Sequence, residues 1–313
     1  MKKLKIIFAG TAYFSAEHLQ SLINSQHCIK AIITQPDRPS GRNKKIIFSA
    51  VKMISIKYNI PIIQPLKFNN NTINQISKYK ADIMIVVSYG QIIPKEILSI
   101  FPMGCINVHA SLLPRWRGAT PIQSAILNGD KKTGISIISI NEKIDAGNIL
   151  YSKECSICPK DTTHSLSLKL IPIGIQALSE TLEKIARNRI IQKIQNEKYA
   201  TLSKKIFRKN AFLNWNIEAE ILERLIRAFN PWPICYFMIN KTIIKVWKAS
   251  VMSKYKKNYS IGEIILADKR GIQVNTINKI LNIEQIQISG KKVMSVEKVL
   301  ISKKKWFKIG VIL

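Results

Sequence analysis

The sequence predicts an α/β chain of two domains, a doubly wound and mainly parallel sheet followed by a small β-barrel, and three observations predict it. Apolar runs suited to buried strands alternate with helical patterns through the first half. Beyond a polar, basic stretch, short apolar runs recur between Asn, Lys and Gly turns, the spacing of a small OB-like barrel. At 313 residues the chain is long enough for two separate cores. The expected division is a first domain over 1–188, a linker over 189–206 and a basic barrel over 207–313.

The elements follow in order. Residues 4–8 (LKIIF), 28–34, 82–88 and 105–110 (CINVHA) read as parallel strands, with helices near 14–24, 50–58 and 70–79 and a short one near 94–99. The start, MKKLKIIFAGTAYFSA, resembles a signal peptide in charge and composition. Lys5 interrupts its short apolar core, so it is read as a strand, a turn at Gly10 and a helix. A helix near 119–128 follows, then two alternating runs, 133–140 and 148–157, expected to pair antiparallel at a sheet edge. A long helix over 162–187, capped by Thr162 or Thr163, closes the domain. Past the linker come a helix over 217–229, the breaker RAFNPWP, and strands at 243–250, 261–267, 271–277 and 280–288. Trp215, Trp232 and Trp247 fit either a stacking surface for nucleic acid or aromatic core.

Composition narrows the function classes. The longest apolar runs, such as Ile83 to Val87, fall far short of the roughly 18 residues that span a bilayer, so no membrane role is expected. Five scattered cysteines suit reduced thiols in the cytoplasm, and the Cys155–Cys158 spacing lacks the second pair that a zinc site needs. The net charge of +30 points to a polyanionic partner, foremost nucleic acid, although a chain this rich in Ile, Lys and Asn also carries lysines from A- and T-biased coding. Residues 201–313 hold 22 Lys and Arg against 7 Asp and Glu, nearly twice the net positive charge per residue of the first 200 residues. The first turn, Ala9 to Phe14, has one glycine where a dinucleotide fingerprint has three, which argues against an oxidoreductase.

The segment GCINVHASLLPRWRGATPIQ, residues 104–123, carries the candidate site. Asn107 and His109 are two apart on an expected strand, so they share one face near its carboxyl end, where open α/β sheets bind ligands. Asp145, in the turn Lys143-Ile144-Asp145-Ala146-Gly147, supplies a carboxylate. An amide that holds an acyl oxygen, an imidazole that donates or relays a proton, and a carboxylate that holds an imidazolium and a water suit acyl transfer to an amine. A lone strand histidine is also often structural, and spacing alone leaves both readings open.

The pattern Asn107-x-His109-x-Ser111-Leu112-Leu113-Pro114-x-x-Arg117-Gly118, followed by Asp145-Ala146-Gly147, resembles the signature of the 10-formyltetrahydrofolate-dependent formyltransferases. IIFAGT (6–11), TQPDRPSGRNKK (34–45), VVSYGQIIP (86–94), RAFNPWP (227–233) and KVWKAS (245–250) extend the resemblance, in order, to the branch of the family that acts on initiator methionyl-tRNA. The resemblance implies a Rossmann-like catalytic domain and a tRNA-binding C-terminal domain. It implies Asn107, His109 and Asp145 as the catalytic trio. It places Ser111, Leu112, Leu113 and Pro114 along the folate donor, with the backbone from Ile85 to Tyr89, including Val87 and Tyr89, flanking the pterin. It gives Arg42, Lys44 and Lys45 to the acceptor end of the tRNA, with Arg42 decisive. The implied donor is 10-formyltetrahydrofolate, with no metal, and the implied protein is a cytoplasmic monomer. The chain departs from the family at Ala12-Tyr13, Asn43, Phe48, Ala50 and Asn148, none of them in the trio. The rivals are a formyltransferase for a sugar nucleotide or purine precursor, which the basic C-terminal region disfavours, and an RNA-binding module without catalysis, which the intact trio disfavours.

Overall fold

The protein is described by a computed structural model over residues 2–40, 45–253 and 258–313. It comprises two units, one of Met1–Pro121, Lys132–Ser156 and Ser167–Lys204, the other of Ile122–Lys131, Ile157–Leu166 and Lys205–Leu313.

The first unit is built on a seven-stranded sheet in the order Ile149–Ser156, Lys132–Ser139, Cys105–His109, Ile83–Val87, Lys5–Gly10, Cys28–Ile33 and Ile62–Ile63. The last five strands are mutually parallel. Lys132–Ser139 runs antiparallel to Cys105–His109, and Ile149–Ser156 antiparallel to it in turn, as the alternating patterns predict. Every residue of Ile83–Val87 is buried, because helices cover both faces of a parallel sheet. On one face Ile7, Ala31, Ile33, Met84 and Tyr89 share a core.

The helices Tyr13–Ile23, Ala50–Lys57, Asn70–Ser77, Lys95–Leu98, Pro121–Asn128 and Thr163–Ala186 lie within two residues of the expected ones. Ser49 Oγ accepts from Lys52 N at 3.0 Å and Asn69 Oδ1 from Thr72 N at 2.9 Å, so two of them start on side-chain caps. Gly10 is fixed by close approach: a Cβ there would sit 2.7 Å from Ser15 Cβ and 2.9 Å from the Val87 carbonyl oxygen. Its role is to let the first helix press on the sheet.

The second unit carries a curled antiparallel sheet, a half-barrel, ordered Tyr236–Ile239, Thr242–Met252, Ile280–Ile288, Gly271–Asn275 and Ile264–Asp268, with Met294–Ser295 paired to Ile280–Ile288. The helix Ala219–Ala228 packs on it. The strand Tyr236–Ile239 and the helix Val296–Lys303 are additions to the sequence reading; Tyr236–Ile239 directly follows the two prolines of RAFNPWP, which mask a strand signal. Trp215 is buried edge-on to Phe237, Trp247 is half-buried and donates to Gln287, and Trp232 is exposed. Tryptophan therefore serves mostly as core and bracing here.

Packing also regroups two segments that sequence order put in the first domain. Thr163 Oγ1 donates to the Ala228 carbonyl at 2.6 Å and Arg227 Nη1 to the Asp161 carbonyl at 2.9 Å, which ties 157–166 to the second unit. The stretch read as a linker belongs, through Lys204, to the first. Leu202–Ser203 pairs in parallel with Arg117–Gly118, and Lys193 bridges Ile149.

Candidate active site

The Cys105–His109 strand does what its spacing requires. Asn107 and His109 emerge on the same face and meet one carboxylate. Asn107 Nδ2 donates to Asp145 Oδ1 at 3.1 Å, and His109 Nδ1 lies 3.5 Å from Asp145 Oδ2. His109 is buried, and its Nε2 is 2.9 Å from the Trp116 carbonyl oxygen. A carbonyl only accepts, so Nε2 carries the proton in this arrangement and Nδ1 is the nitrogen turned to the carboxylate. Gly118 N donates to Asp145 Oδ2 at 2.8 Å.

The turn that presents Asp145 is shaped by two residues. The left-handed residue is Asp145 itself, with φ of 49°. Gly147 is glycine for a different reason: a Cβ there would stand 1.7 Å from the Ser139 carbonyl oxygen. Aspartate tolerates the left-handed region better than most residues, and the close contact leaves room only for hydrogen.

Asn107 and Asp145 line a cavity of about 130 Å³ together with Val86, Gln91, Ile138 and Ile140. It lies beyond the carboxyl ends of the Ile83–Val87 and Cys105–His109 strands, the usual ligand crevice of such a sheet. The volume is below the roughly 300–1,000 Å³ of pockets that enclose a drug-sized ligand.

The other expected donor contacts lie outside the lining of this cavity. Ser111 is buried, with Oγ donating to the Arg115 carbonyl at 2.6 Å and its own carbonyl accepting from Ser136 Oγ at 2.8 Å. Leu113 N donates to Ser136 Oγ, Leu112 packs by Gly134, and Pro114 follows a cis peptide bond. Val87 is fully buried and its carbonyl accepts from Ser15 Oγ at 2.5 Å. Tyr89 turns its ring into the core, where burial pushes its phenol well above the ordinary range, and its carbonyl accepts from Thr11 and Gln35. On that strand it is Val86, the register partner of Asn107, that faces the cavity.

Of the basic loop, Arg42 and Lys44 lie outside the described residues, and Lys45 is described only by its backbone in the strand Lys45–Ile47, antiparallel to Arg38–Ser40. The base of the loop is built. Lys52 Nζ is 2.5 Å from Asp37 Oδ2 and also donates to Gln64, whose amide reaches Asp37 Oδ1. Phe48 lies under the Lys52 ammonium at 4.2 Å.

Three residues of the site are absent from the sequence reading of chemistry. Arg117 is buried and donates from Nε and Nη2 to Gln195 Oε1 and from Nη1 and Nη2 to the Glu197 carboxylate, at 2.8–3.0 Å. The guanidinium holds Glu197 below the usual carboxylate range. Gln195 Nε2 donates to the carbonyls of Asp145 and Gly147 at 2.8 and 2.7 Å. These contacts join Arg117 and the Asp145 turn to a stretch about fifty to eighty residues further on that reads as a plain polar linker, so no local pattern announces them. The cysteines stand apart from the site chemistry: burial pushes Cys105 up to about 12 and Cys235 further up. Among the described residues no group of three or more His, Cys, Asp and Glu is placed to hold a metal ion, and no helix is long and apolar enough to cross a membrane.

Comparison with known proteins gives consistent relatives. The family described as formyl transferase matches residues 2–182, and the formyl transferase C-terminal domain matches residues 205–304. The chain is 61% identical over 314 residues to methionyl-tRNA formyltransferase of Buchnera aphidicola subsp. Schizaphis graminum (strain Sg), with 100% of both chains covered. It is 63% identical, at the same coverage, to the protein of that name from Buchnera aphidicola subsp. Acyrthosiphon pisum (strain Tuc7). Among solved structures, HypX from Aquifex aeolicus in complex with tetrahydrofolic acid has a TM-score of 0.66 at 14% identity, covering 96% of this chain and 47% of that one. The N-formyltransferase from Helicobacter canadensis, in complex with folinic acid and dTDP-3-aminofucose, has a TM-score of 0.66 at 19% identity, covering 90% and 99%. At these identities the structural likeness is one of fold.

Proposed function

The chain belongs to the formyl transferase family, and we propose that it moves the formyl group of 10-formyltetrahydrofolate to the amino group of initiator methionyl-tRNA, as a monomer in the cytoplasm. The observation that carries the chemistry is the convergence of Asn107 and His109 on the Asp145 carboxylate at the mouth of a cavity. The choice of acceptor is supported by full-length similarity to proteins named for that substrate and by the basic second unit.

The donor supplies a formyl group on a nitrogen that leaves with a proton. Asn107 has two amide protons, of which one is directed to Asp145; the other serves the formyl oxygen as negative charge develops on it. The acceptor amine attacks in its neutral form, which an α-amino pKa of about 7.7–8.0 makes accessible at neutral pH. The Asp145–His109 pair takes the proton that the amine loses and returns one to the departing nitrogen, so the site ends as it began. On this reading Ser111, Leu112, Leu113 and Pro114 lie along the folate donor, and the backbone from Ile85 to Tyr89, including Val87 and Tyr89, flanks its pterin. Arg42, Lys44 and Lys45 meet the acceptor end of the tRNA.

The test is an assay of purified protein with 10-formyltetrahydrofolate and charged initiator and elongator methionyl-tRNAs. Formylation of the initiator species at the higher kcat/KM is expected. Transfer only to a free sugar amine or a purine precursor would replace this reading.

A further inference from the structure

We infer that Gln195 and Arg117, reaching Asp145 from the stretch after the long helix and from the segment after Pro114, are positioning residues that set where the Asp145 carboxylate stands. The inference rests on the formyl-transfer reading. Asp145 is half-buried and occupies a left-handed conformation, which a non-glycine residue keeps only where its surroundings hold it. Gln195 supplies that hold. Both its N–H groups are spent on the turn, one on each carbonyl flanking Ala146. Its amide oxygen takes two bonds from Arg117. Arg117 requires an acceptor and the two carbonyls require donors, so one orientation of the amide satisfies the whole set.

Arg117 works from two sides. Its side chain fixes the Asp145 backbone through Gln195, while the next residue, Gly118, donates its N–H to the Asp145 carboxylate. That peptide is held in turn: Arg117 N donates to the Thr201 carbonyl, and Ser203 Oγ donates to the Arg117 carbonyl at 3.0 Å. Gly118 lies against this strap, where a Cβ would come within 2.8 Å of the Ser203 carbonyl oxygen. The stretch 193–204 is thus part of the reaction centre's frame, and a buried bidentate arginine is the group suited to it.

The experiment compares wild-type protein with Gln195→Glu and Gln195→Ala in steady-state formylation of initiator methionyl-tRNA, normalised to folded protein. Gln195→Glu keeps the length and an acceptor for Arg117 but turns both N–H donors into an oxygen facing two carbonyls. Gln195→Met, which keeps the volume without the charge, serves if the glutamate variant does not fold. A fall in kcat of roughly 10- to 100-fold is expected, with donor and tRNA KM within about threefold of wild type, because the groups are misplaced and the ligand surfaces are not. The pH profile of kcat should also move along the pH axis, as the carboxylate facing His109 is displaced. Wild-type kcat in Gln195→Glu, or a loss confined to KM, would overturn the inference. The wild-type rate on methionyl-tRNA judges the underlying reading, and the ratio of variant to wild type judges the positioning, so the two failures are told apart.

Discussion

The site network of the first unit and the surface ion pairs of the second use charge in opposite ways. In the first, Arg117 and His109 are buried within the network around Asp145. In the second, ion pairs such as Lys248 with Glu284 and Arg270 with Asp268 lie at the surface, with the basic partners 60% and 69% exposed. A buried charge must have its partners in fixed places, so it sets geometry; an exposed one is screened and interchangeable, so it adds to a field. Geometry is what bond-making needs, and a field is what attraction of a polyanion needs. The contrast matches the division of labour proposed for the units.

That contrast can be broken at several points. The largest effect is expected from His109→Ala, which should lower kcat roughly 1,000-fold while tRNA affinity in a binding assay stays near wild type. Equal turnover would return His109 to a structural role.

Next comes acid stability. Burial of His18 holds its ring down to about 4 from 6.5, with the Phe14 carbonyl opposing the shift. Above pH 6.5 the ring is neutral in both states and the stability is fully present; as pH falls toward 4 the unfolded chain takes the proton first and stability is lost. About 3 kcal/mol should disappear across that window by this route. Denaturant unfolding of wild type against His18→Gln at pH 7 and pH 4.5 reads it; a parallel pH dependence in both would remove His18 as the cause.

In the second unit, replacing exposed Lys245, Lys291 and Lys292 by alanine should flatten the plot of log affinity for tRNA against log salt by roughly 2.7 if each meets a phosphate, since each phosphate contact releases close to one counterion. An unchanged slope would assign these lysines to coding bias. The smallest effect is expected at Arg270, where alanine should change unfolding stability by no more than about 0.5 kcal/mol. A larger loss would mean that surface pairs in this unit also hold geometry.

Legibility in the sequence followed the range of the interaction. The alternation of strands and helices, and the shared face of Asn107 and His109, depend on chain periodicity and are read within a few residues. Gly147 is plain in the sequence, but the reason that it is glycine, the Ser139 carbonyl, comes from the neighbouring strand. Val87 and Val86 cannot be ranked as cavity residues until register sets which of them faces Asn107. The second unit's strand Tyr236–Ile239 was hidden by the prolines just before it.

By itself the sequence determined the fold class of both units, the presence of an amide and an imidazole on one strand face, the turn that bears the carboxylate, and the concentration of positive charge in the last third. Those properties are set by residue type and short spacing. Only the tertiary structure decided that Asp145 closes on that pair, that Val86 lines the cavity, and that Gln195, Glu197 and Ser203 belong to the site's frame instead of a linker. The reason is physical: a buried polar group takes whatever partner the packed chain brings to it, and for Asp145 and Arg117 those partners arrive from dozens of residues away.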